Sequence, residues 1–127
     1  PPPKPPAGIA ATRTALSLPG NLSHVYTECA RIFNPLHTDA AVAAAAGIAR
    51  PILHGTATLA LAISALIDDA RDSEPRPIRR LGGRFAAMVT VPGRLRLSAW
   101  QANTDLIGFE VLNEAGAPAI RDGYVCF

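Results

Sequence analysis

The chain has 127 residues, 49% of them hydrophobic and 17% charged, with a formal net charge of +2. That is enough apolar side chain for one domain around one core, and too much for a disordered polymer. Arg79, Arg80 and Arg84 cluster without interleaved aromatics, which reads as a solvated strand end and argues against a nucleic-acid surface.

The first residues, PPPKPPAG, favour polyproline II, so 1–8 is expected to be a linker or flexible N-terminus and 9–127 a single domain. They hold no apolar core of a signal peptide. Residues Ile9–Leu18 read as a strand and Pro19-Gly20-Asn21 as a turn. Leu22, Val25, Tyr26, Cys29 and Ala30 recur at helical spacing over Leu22–Arg31, with Asn21 or Ser23 as the cap. Pro35 ends that pattern, forces Asn34 into extended geometry and makes Asn34-Pro35-Leu36-His37 a stiff loop. Asp39 or Thr38 caps a second short helix, Ala40–Ala46, and Gly47 stops it.

Gly55 to Asp69 is apolar or small on every side, the signature of a buried helix, about 22 Å long at 1.5 Å per residue. Its apolar run ATLALAISALI is too short to span a bilayer, and a cytosolic, soluble protein is expected. Asp68 to Pro77 is a charged surface loop. The period then changes to two over Ile78–Thr90, Arg94–Ala102, Leu106–Asn113 and Pro118–Phe127, with Pro92-Gly93, Asn103-Thr104-Asp105 and Glu114-Ala115-Gly116 as turns. One strand, a helical middle and an antiparallel meander of four strands give an α+β fold: a five-stranded sheet wrapped around one central helix. Tyr26 and Phe33 read as core aromatics. Cys29 and Cys126 form neither a disulfide framework nor a metal site, and both read as small buried hydrophobes in a reducing compartment.

Two blocks carry chemistry-bearing residues: FNPLHTD, ending at Asp39, and PILHG, from Pro51 to Gly55. His37 carries an imidazole, a side chain suited to proton transfer. Gly55 opens the long helix, where free N–H groups and the positive dipole end favour a developing oxyanion. His54, beside it, either holds the loop by bonding a backbone carbonyl or lines a ligand.

These blocks, their spacing and the later VTVPG turn resemble the MaoC-like, (R)-specific enoyl-CoA hydratases, and the likeness runs over nearly the whole chain. The resemblance implies a hotdog fold, as a homodimer or paired with a second hotdog domain. It implies an acyl thioester of CoA or of acyl carrier protein as ligand and no metal or redox cofactor. His37 matches the family's catalytic histidine, Asn34 its loop asparagine, and Gly55 the glycine whose N–H holds the thioester carbonyl. Phe33, Pro51, His54 and Thr56 would then line the substrate. The family's aspartate stands two residues before the asparagine, and here that position is Ile32. Syn addition of water to an enoyl thioester needs a base, an acid and an oxyanion donor, and Ile32 supplies none of them. Glu28, one helical turn earlier, and Asp39 are the candidate substitute acids. The implied activity is a hydratase or dehydratase. The alternative is a catalytically inactive hotdog subunit or half-domain that binds thioester or supports an active partner.

Overall fold

Period-two segments become strands and the apolar segment becomes the central helix. The computed structural model describes residues 12–69 and 76–127. The Pro-rich start, the first residues of the expected opening strand and most of the charged loop lie outside them. The elements run β1 (Thr12–Leu18), α1 (Leu22–Ala30), a 3-10 turn (Pro35–His37), α2 (Ala40–Ala45), α3 (Gly55–Asp69), β2 (Arg80–Phe85), β3 (Gly93–Asn103), β4 (Leu106–Leu112) and β5 (Pro118–Cys126). The five strands form one antiparallel sheet in the order β1-β3-β4-β5-β2.

That order corrects the expected four-strand meander. Strands β3, β4 and β5 do follow one another, but β2 pairs with β5 at the far edge. The expected single strand Ile78–Thr90 breaks after Phe85. The next residues carry Val89 and Val91, 5% and 2% exposed, into the core. Thr90 makes only an isolated bridge to Ile52. Burying these valines draws the chain across the sheet to the other edge, where β3 pairs with β1 in the register Leu16↔Leu95.

The concave face packs on α3. Leu95, Leu97, Phe109, Val111, Ile120 and Val125 from the strands meet Ala57, Ala62, Ile63 and Leu66 from the helix. The small residues of α3 allow this close approach. Phe109 is fully buried over Gly123, where a Cβ would lie 2.6 Å from the Phe109 ring, so β5 passes beneath the ring without a side chain. Arg94 and Arg96 point outward and Leu95 and Leu97 inward, the alternation of a half-buried strand.

Three side chains depart from the expected core. Phe33 is 66% exposed because the loop after α1 leads it away from the sheet. Cys29 is exposed and Cys126 half-buried, both free thiols. Cys29 lies on the solvent side of α1, whose buried residues are Ser23 and Thr27. Among the described residues no helix is long and apolar enough to cross a membrane, and no three potential metal ligands converge.

Candidate active site

Three local structures bring the site together. Helix α1 ends with Arg31 in the left-handed region (φ 55°), and the Ile32 N–H closes back on the Thr27 carbonyl at 3.2 Å. This reversal sends Ile32-Phe33-Asn34 away from the helix axis. Asn34 is extended, as its following proline demands, and its side chain accepts the Leu36 N–H at 3.1 Å. A single 3-10 turn follows and presents His37. Asp39 then caps α2, accepting N–H groups of Ala41 and Val42 at 2.8 and 3.2 Å.

His37 Nδ1 lies 2.7 Å from the Ile52 carbonyl. A carbonyl only accepts, so Nδ1 carries the proton and Nε2 of the neutral ring holds a free lone pair. The Ile52 N–H answers with a 3.1 Å bond to the Leu36 carbonyl, locking the two motif blocks together. The His37 ring stacks on His54, with centroids 3.6 Å apart and planes 21° from parallel. His54 is 3% exposed, and its Nε2 lies 3.1 Å from the Thr27 hydroxyl. Burial, and then the neighbouring His37, push the His54 pKa below 6.5, partly offset by the Ile32 backbone. His54 is therefore neutral at neutral pH.

A cavity of about 190 Å³ opens beside this pair, lined by His37, Ile52, Gly55, Thr58, Phe85 and Met88 among others. His37 and the first residue of α3 thus border one space. Among the described residues the Gly55 and Thr56 N–H groups have no acceptor, the ordinary state of a helix's first turn and one suited to an incoming carbonyl oxygen. A Cβ on Gly55 would meet the Phe85 ring at 3.1 Å, so the glycine leaves room for that ring at the mouth.

Other expected site residues lie elsewhere. Asn34 shapes the loop and does not line the cavity. Pro51 accepts the Val91 N–H at 3.1 Å, and the Thr56 hydroxyl bonds Tyr26 at 3.0 Å. Phe33 and Glu28 line a separate cleft of about 390 Å³ with His24, Thr27, Pro35 and Thr38. Asp39 is occupied as a cap. No carboxylate lines the His37 cavity among the described residues, Glu28 and Asp39 included. The sequence reading missed Phe85, Met88 and Thr58. Thr58 was legible as the one hydroxyl on the buried face of α3's first turn. Phe85 and Met88 come from beyond the helix, and only the crossover of the chain brings them there.

A family model described as "MaoC like domain" matches residues 24–121. Enoyl-CoA hydratase ChsH3 of Mycobacterium tuberculosis is 41% identical over 75 residues, 58% of this chain and 26% of that protein. The full-length peroxisomal multifunctional enzyme type 2 of Drosophila melanogaster superposes with a TM-score of 0.84 at 27% identity, covering 95% of this chain and 23% of that one. The (R)-hydratase from A. caviae involved in PHA biosynthesis superposes with a TM-score of 0.74 at 20% identity, over 94% of this chain and 96% of its own. The chain therefore spans only about a quarter of the length of ChsH3 and of the Drosophila enzyme, whereas it is nearly coextensive with the smaller (R)-hydratase.

Proposed function

Because this chain belongs to the MaoC-like domain family and has the hotdog fold, we propose that it catalyses the reversible addition of water to a trans-2-enoyl thioester, giving a 3-hydroxyacyl thioester. The observation that carries this reading is that His37, whose Nδ1 is taken up by the Ile52 carbonyl, and Gly55, which opens α3, border one cavity. The thioester carbonyl accepts the Gly55 N–H. Water bonds to C3 as His37 Nε2 takes its proton, and the C2–C3 π pair moves into the enolate. The enolate oxygen is held at the helix N-terminus. The same Nε2–H then protonates C2, leaving the imidazole neutral. One histidine serves as base and then acid because Ile32 cannot share the work. This chemistry calls on no metal or redox centre.

The test is loss of enoyl absorbance when the protein is mixed with crotonyl-CoA and longer enoyl-CoAs, and with the same acyl groups on a carrier protein. Turnover that falls at least 10²-fold in His37→Ala is expected. No His37-dependent turnover on any of these would end the hydratase reading.

The missing carboxylate favours one alternative, an inactive subunit or half-domain that holds thioester beside an active partner. It predicts binding without turnover, and activity gained in Ile32→Asp. We further propose that a second hotdog domain, either another copy or a different chain, packs along β2. That strand is a sheet edge, and Leu81, Phe85 and Met88 near it are 40%, 55% and 55% exposed, an apolar row along unpaired backbone. A cytosolic location belongs to the same proposal, and the two free thiols suit its reducing environment.

A further inference from the structure

His54 combines properties that do not sit together by accident of packing. Its ring is 3% exposed. Its Nδ1 is shielded from solvent with no partner among the described residues. An unsatisfied buried nitrogen destabilises a fold. A phenylalanine would fill the same space without that penalty. What a phenylalanine cannot do is bond Thr27, the buried residue of α1 that holds His54 Nε2 at 3.1 Å. His54 in turn lies flat under His37, whose other restraint is the Nδ1 bond to Ile52. One in-plane bond lets a ring swing about its donor, and a stacked face removes that freedom.

We propose that Thr27 and His54 form a positioning pair: Thr27 clamps His54, and the clamped ring sets the plane of His37 so that Nε2 faces the cavity. The groups facing His54 are His37 from the 3-10 turn, Tyr26 and Thr27 from α1, and the Ile32 backbone. None of them is a carboxylate, so His54 stays neutral and acts through shape and hydrogen bonding. Neither residue touches the reacting atoms. In this chain the partner of the acid–base histidine is a second imidazole beneath it, in place of a carboxylate across the substrate.

The proposal rests on the hydratase reading for its kinetics but not for its spectroscopy, so the two can fail separately. In the intact protein, the His37 Nδ1 proton is followed by nitrogen-edited NMR, and kcat and KM are measured on crotonyl-CoA. The parent should show a slowly exchanging Nδ1 proton. Thr27→Val should lower kcat about 10-fold with KM within about 2-fold, and His54→Ala about 10²-fold, in the range a small misplacement of a catalytic group produces. His54→Phe restores a flat face but not the clamp. It should match Thr27→Val in kcat, and adding Thr27→Val to it should cost nothing more, since the two act as one unit. The Nδ1 proton should exchange fast in His54→Ala and stay protected in His54→Phe. A protected proton and parental kcat in His54→Ala would overturn the proposal. If that variant does not fold, the same result in Thr27→Val would overturn it. A parent without turnover whose Nδ1 proton still follows this pattern would remove the hydratase reading and leave the positioning pair standing.

Discussion

His54 gives the stability of the fold a pH response whose sign follows from its burial. Its folded pKa is depressed below 6.5, while the unfolded chain titrates near 6.5. Above that pH neither state binds the proton, and His54 contributes no pH dependence. Below it the unfolded state takes up a proton that the folded state refuses, so stability falls as pH falls until the folded ring titrates too. The expected slope in that window is at most about 1.4 kcal/mol per pH unit from this group. Urea denaturation between pH 7.5 and 5 should show it, and His54→Phe should flatten it. A second expectation concerns Gly55. Gly55→Ala pushes on a Phe85 ring that is more than half exposed in the single chain. Melting should therefore change by no more than about 1 kcal/mol, while kcat/KM falls about 10-fold because the displaced ring crowds the mouth, as parallel melts and crotonyl-CoA assays would show. At this scale the sequence was informative where spacing alone defines a site. His37 and Gly55, singled out that way, border one cavity. Phe33 and Cys29 were not placed correctly, because a helical period says which residues share a face but not whether the chain beyond the helix covers that face.

The elements around the loop are short and owe their ends to single residues. Helix α2 has only six residues, too few to persist without capping and packing. Asp39 opens it, and Gly47 (φ 77°) closes it with the Ile48 N–H on the Ala43 carbonyl at 2.9 Å. This separates the two roles offered for Asp39. Asp39→Asn keeps a good cap and removes the carboxylic acid, so activity and its pH profile should be unchanged. Asp39→Ala should cost about 1 kcal/mol in denaturant unfolding. A collapse of activity in the asparagine variant with stability intact would mean that the carboxyl takes part in catalysis after all. Gly47→Ala, with nothing crowding a Cβ but a left-handed backbone, should cost about 1–2 kcal/mol. These ends were legible because cap chemistry is local: Asn34 before a proline, Asp39 before an alanine run and Gly47 after it. The left-handed Arg31 was not, since nothing in its side chain asks for that geometry.

For the whole molecule, the alternation of the last 50 residues announced an antiparallel sheet, and the all-apolar segment announced what it wraps. Strand order was not announced. Local turn signals suggest that successive strands are neighbours, and only the burial of Val89 and Val91 carries the chain from one edge to the other. The resulting edge at β2 makes a prediction of its own. Leu81→Lys places a charge on the exposed row and should shift an assembled species toward the single chain in size-exclusion chromatography coupled to light scattering, without unfolding it. An unchanged elution mass would mean that another face carries the assembly.

The pairing of β1 with β3 joins Thr12 to Ala99, so β1 cannot pair until β3 has been made. Until then β1 lacks its strand partner. Loop closure over such a span is slow, and it exposes apolar strand meanwhile. The molecule should accordingly assemble from its C-terminal hairpins backwards, and the stacked imidazoles should be among the last parts of it to acquire their geometry.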